Sequence, residues 1–112
     1  MSKSSTTTSR LQGKRVLPPI HPGEMLREEF LLPLGITPYA LAQKLKVPRT
    51  RIERLVREET ALTPDTALRL ARYFGSAPEF WLNMQTVYDL TRAEAENADA
   101  LADIEPLKVE AA

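Results

Sequence analysis

The chain has 112 residues, equal numbers of acidic and basic side chains, no cysteine and one histidine. That length fits one domain with a tail or two; the missing cysteine excludes disulfides and thiol chemistry, and a single histidine speaks against a zinc site. Apolar runs such as Phe30-Leu31-Leu32 are far short of the roughly 18 residues of a membrane span, and MSKSSTTTSR lacks the apolar stretch of a signal peptide, so a soluble, cytoplasmic protein with no membrane attachment is expected.

Residues 1–15 are rich in Ser and Thr, with little apolar surface beyond Leu11. Such a segment buries too little to offset the cost of ordering, so residues 1–19 are expected to form a flexible arm. From residue 20 to 96 the composition suits an all-α domain, and proline punctuates it. Pro22, Pro38, Pro64 and Pro78 each follow His, Thr or Ala and precede a helical pattern. Proline suits the first turn, where its missing N–H costs nothing, and a preceding Thr can cap. His21 is expected to cap or simply start the first helix.

The helices expected are 22–32, 38–45, 49–58, 64–74 and 78–96. Leu34-Gly35 closes the first, with Pro33 near its end, and Gly75 closes the fourth, since glycine favours the left-handed turn after a helix. The fourth carries the stripe Ala67, Leu70, Ala71, Phe74. The fifth carries Phe80, Trp81, Met84, Val87 and Tyr88, of which Phe80, Trp81, Met84 and Tyr88 are assigned to the core or a dimer interface. Residues 97–112 form an acidic tail, in which 104–109 could pair as a strand with another chain.

The second and third helices are short and nearly abut. Neither is stable alone, so the others must hold them. Ala42 lets the third helix cross closely, and Val47, Ile52 and Leu55 would plug the junction. That is helix-turn-helix geometry, with the third helix presented outward. Charge agrees: residues 44–57 hold six basic groups against Glu53 alone, while Lys3, Arg10, Lys14 and Arg15 precede the domain and seven acids crowd 89–112 against Arg92 and Lys108. Arg49, Thr50, Arg51 and Arg54 are the expected base-reading residues, because arginine matches the two acceptors of guanine. Thr37, Tyr39, Gln43, Lys44, Lys46 and Arg57 are the expected phosphate contacts.

The five-helix order around LAQKLKVPRTRIERL resembles the lambda-repressor-like helix-turn-helix domain. HPGEMLREEFLLPLGIT, ALTPDTALRLARYFG and PEFWLNMQTVYDL narrow the resemblance to the HigA branch of antitoxins, over about residues 20–92. The resemblance implies a homodimer on double-stranded DNA, repressing its own operon and neutralising a HigB-type, mRNA-cleaving toxin. Its operator would be an inverted repeat, with recognition helices roughly 34 Å apart. No cofactor is implied. Two positions depart from the family's pattern. Lys46 stands where glycine is usual in the turn, at a cost if φ is positive there. Glu58-Glu59 replaces Gly or Asn and would repel phosphate if it faced DNA.

Other readings stay open: a regulator with no toxin, or a protein-interaction module that has lost DNA. The arginines could be a solvated face, with Glu53 pairing Arg49 or Arg57. The tail could mask a basic toxin or be only a solvated terminus. An enzyme is not expected, because no nucleophile–base constellation, metal-ligand set or glycine-rich phosphate loop is present.

Overall fold

The computed structural model describes residues 19–109, which are helical with no strand among them. The basic groups Lys3 to Arg15 of the expected arm lie outside the described residues, as does Glu110 of the tail. The first helix, α1, is built of three pieces: Pro22–Met25, Leu26–Leu31 and Leu32–Leu34. It is followed by α2 (Pro38–Leu45), α3 (Arg49–Val56), α4 (Pro64–Phe74), α5 (Pro78–Glu96) and a short α6 (Ala98–Ala102). No described helix is long and apolar enough to cross a membrane.

The helix starts follow the local rules. Proline opens α1, α2, α4 and α5. The Thr37 and Thr63 hydroxyls accept from the N–H groups of Ala40 and Thr66, and His21 Nδ1 accepts from Gly23 N–H at 2.9 Å. Ala77, before Pro78, offers no side-chain cap.

Three boundaries differ from expectation. The first helix runs past residue 32 to Leu34, and its middle piece is a π-type turn in which Leu32 N–H reaches back five residues to the Arg27 carbonyl. Pro33 supplies the reason: it has no N–H, and its ring would strike the carbonyl four residues back unless the turn is widened there. The third helix ends at Val56 rather than 58. Glu58 adopts φ 64, and Glu59 N–H bonds the Arg54 carbonyl at 2.9 Å, which wraps the helix end. The tail contains α6, which no proline or glycine marks. Residues 104–109 beyond it are exposed and without regular structure.

Leu26, Leu41, Ile52, Leu70 and Trp81 are fully buried at the centre, with Ala42 and Ala67 buried among them. Phe30 joins the far side, its ring 4.8 Å from Phe74 and 5.1 Å from Trp81. The Trp81 indole N–H donates to Ser76 Oγ at 3.1 Å, so its polar edge is satisfied on entering the core. α1 and α3 approach closely at Gly23. A Cβ on Gly23 would lie 1.8 Å from the Leu55 carbonyl oxygen. Arg27 then donates to the Val56 carbonyl and pairs with Glu58 at 3.1 Å, tying α1 to the C-terminal end of α3. Held by α1 behind and α2 beside it, α3 shows its remaining face to solvent.

Candidate nucleic-acid interface

Ile52, Leu55 and Val56 are the buried residues of α3. At about 100° per residue, the direction opposite them is taken by Thr50, Arg54 and Arg57. Arg49 and Arg51 fall on opposite flanks. The four residues expected to read bases therefore do not form one row: two stand on the ridge and one leans to each side.

Arg49 leans towards α2. Its guanidinium lies 5.5 Å from the centre of the Tyr39 ring, and its Nε pairs with Glu53 at 3.2 Å. The Tyr39 hydroxyl accepts from Gln43 Nε2 at 3.2 Å. Tyr39, Gln43 and Arg49 thus form one patch where the first turns of α2 and α3 meet, with the Thr37 cap beside it. Glu53 serves as the expected partner of Arg49, not of Arg57.

Arg51 leans the other way, towards α4. Its Nη1 donates to Asp65 Oδ2 at 2.6 Å. Asp65 also accepts from Arg69 Nε at 3.1 and 3.2 Å, and Arg69 Nη1 donates to the Leu45 carbonyl at 2.8 Å. The guanidinium of Arg51, followed by that of Arg69, holds the Asp65 carboxyl below its ordinary range. On the Arg51 side a groove of about 420 Å³ runs from Thr50, Arg51 and Arg54 to the first turn of α4. Thr50 and Arg54 are exposed, and their side chains have no partner among the described residues.

Lys44 and Lys46 are exposed at the C-terminal end of α2. Lys46 has φ 63, the left-handed conformation suspected from the sequence, and Val47 N–H closes the turn on the Ala42 carbonyl at 3.1 Å. Arg57 sits about 12 Å along the helix axis from Arg49, 3.9 Å from Glu59. It is not brought into the Tyr39–Arg49 patch. Glu58, a possible source of repulsion, is turned onto Arg27 instead.

On α5, Trp81 is core, Met84 and Tyr88 are half-buried, and Phe80 meets Trp81 edge to face at 5.1 Å while remaining partly exposed. Tyr88 covers His21 edge-on at 4.9 Å and carries Arg92 over its other side at 5.4 Å. Burial pushes the His21 imidazole below its ordinary value, and the Arg27 charge adds to this, against the opposing pull of Glu58, the Thr60 carbonyl and Asp89. Among the described residues no group of three or more His, Cys, Asp or Glu could hold a metal ion.

Sequence reasoning missed three polar contributors. Asp65 and Arg69 are four apart on a helix, a pairing the spacing alone could have signalled, but the link from Asp65 to Arg51 spans fourteen residues. Gln85 is buried and accepts from Leu62 N–H at 2.7 Å, fixing the loop before α4. Glutamine in an apolar stripe reads as an interruption of that stripe, which was its only signal.

A helix-turn-helix family model matches residues 26–81. The virulence-associated protein I of Dichelobacter nodosus is 52% identical over 99 residues, covering 88% of this chain and 91% of its own. The antitoxin HigA-1 of Vibrio cholerae is 40% identical over 91 residues, covering 81% and 86%. Among solved structures, the Pseudomonas aeruginosa antitoxin HigA with the higBA promoter superposes with a TM-score of 0.78 at 46% identity, covering 80% of this chain and 99% of that one.

Proposed function

Because the chain belongs to the helix-turn-helix family, and within it to the HigA-type antitoxins, we propose that it is a dimeric, sequence-specific DNA-binding repressor and the antitoxin of a HigB-type toxin. The observation that carries the reading is the exposed face of α3, a short helix held clear of the body with Thr50 and Arg54 outermost and Arg49 and Arg51 braced on its two sides.

Such a face suits the major groove. Thr50 and Arg54 on the ridge, with the flanking arginines, reach base edges. Lys44, Lys46 and the Thr37–Tyr39–Gln43 end of α2 lie where phosphates run beside the groove and supply salt-dependent affinity. Arg57 contributes from the far end of α3. A second copy places its own α3 in the next major groove, so the operator is an inverted repeat. That the P. aeruginosa antitoxin HigA was captured with the higBA promoter supports autoregulation here.

The test is titration of labelled DNA from the protein's own promoter at several salt concentrations, with unrelated DNA as competitor. Binding that survives competition and weakens linearly in log salt is expected. Binding erased by competitor would overturn the repressor reading. Copurification with the product of an adjacent small basic gene tests the antitoxin half separately.

A further inference from the structure

We propose that Asp65, on α4, is a specificity-determining residue that positions Arg51 for base reading without itself touching DNA. The inference rests on the DNA-binding reading above and adds to it a residue outside the helix-turn-helix.

Asp65 is not a freely swinging surface acid. Arg69 grips both its oxygens, and Arg69 is anchored in turn on the Leu45 carbonyl at the end of α2. The carboxylate is therefore aimed from behind, and it holds Arg51 by one nitrogen, Nη1, at 2.6 Å. A guanidinium carries five N–H donors in a rigid fork. One bond to Asp65 leaves Nη2 and Nε free, and these two form the edge that matches the O6 and N7 acceptors of guanine. The fork is thus oriented before DNA arrives, so less freedom is lost on reading the base.

The same carboxylate also works against wrong sequences. On operator DNA, Arg51 stands between Asp65 and a base acceptor, and its charge serves both. Where that base pair is absent, Arg51 gains no acceptor, while Asp65 still lies beside a groove flanked by phosphates and repels it. Asp65 therefore lowers affinity for unrelated DNA and raises it for the operator.

The experiment is titration of the full chain and its Asp65→Asn, Arg51→Ala and doubly substituted forms. The probes are the promoter DNA, a set of promoters with each base pair changed singly, and unrelated DNA. For Asp65→Asn, the ratio of operator to unrelated affinity is expected to fall about tenfold, part of the value of a bidentate base contact. Unrelated DNA should bind as well or better. The relaxation should fall on the base pair that Arg51→Ala also relaxes, and the double variant should show the same base preference as Arg51→Ala alone. Asp65→Glu should restore part of the discrimination. Arg69→Gln, which removes the side chain that aims Asp65 but keeps the Arg51–Asp65 pair, should relax the same base pair by less than Asp65→Asn does. An equal loss on all DNA, or a relaxation of base preference in the double variant greater than that of Arg51→Ala alone, would overturn the proposal. So would a loss for Asp65→Asn that singles out no base pair and follows a drop in its melting temperature. A parent chain that does not discriminate promoter from unrelated DNA would instead overturn the DNA-binding reading, and this inference with it.

Discussion

Gly23→Ala should destabilise the domain although it replaces glycine by a better helix former. The added Cβ would sit 1.8 Å from the Leu55 carbonyl oxygen and 2.8 Å from its carbon, where real Cβ atoms keep at least 3.0 Å. Both sides of this clash are backbone, so no rotamer change relieves it; α1 and α3 must part by more than an ångström. The new Cβ would also crowd His21 Nδ1 at 3.1 Å, and the movement strains the grip of Arg27 on the end of α3. Overpacking costs about 1–3 kcal/mol, and a site with no soft neighbour belongs at the top of that range. Alanine's helix preference returns at most about 1 kcal/mol. The net loss is about 2 kcal/mol, or a fall of about 8–16 °C in melting temperature for a domain of this size. Thermal unfolding followed by circular dichroism at 222 nm reads it directly. Gly35→Ala is the control: nothing lies within 4 Å of its Cβ, but φ is +68, so only the left-handed cost of about 1 kcal/mol applies. A Gly23→Ala protein melting within about 4 °C of the parent, or above Gly35→Ala, would refute the close-approach argument.

Lys46→Gly should raise the melting temperature by a few degrees, because φ 63 costs a lysine about 1 kcal/mol and only part returns through the freer unfolded chain. The same change should weaken binding to all DNA and lower the salt slope by about one; unchanged stability would mean the turn is not strained. Arg54→Ala should cost about 1–3 kcal/mol on promoter DNA and relax one base position, whereas Lys44→Ala should weaken all sequences alike. A promoter-specific loss for Lys44→Ala would make it a base reader. His21 titrates below its unfolded value of 6.5, so the unfolded chain binds the proton first. The stability it confers is complete above about pH 6.5 and is lost as pH falls through the lowered folded value. Urea midpoints should drop more between about pH 7 and 5 in the parent than in His21→Asn, and parallel profiles would exclude His21 as the source. Gln85→Met should cost about 1–3 kcal/mol by orphaning the Leu62 N–H, and a midpoint unchanged in urea would show that water replaces the amide.

What the sequence determined by itself was whatever short-range chemistry decides. Proline in the first turn with Thr37 or Thr63 before it, glycine after α1 and α4, and the Ala67–Phe74 stripe place the helices because capping, φ preference and periodicity act within a few residues. The arginine density of 44–57 marked α3 for the same reason. The tertiary structure decided how those elements face one another. Only the crossing of α1 over α3 makes Gly23 obligatory, and only that crossing brings Arg27 to Glu58. Only the assembled helices give Arg51 the carboxylate of Asp65, fourteen residues along the chain. Gln85 looked like a break in an apolar stripe until the loop before α4 lay against it. A partner far along the chain leaves no periodicity in the residues around either member, so such pairings are set by packing and become visible only once the helices are assembled.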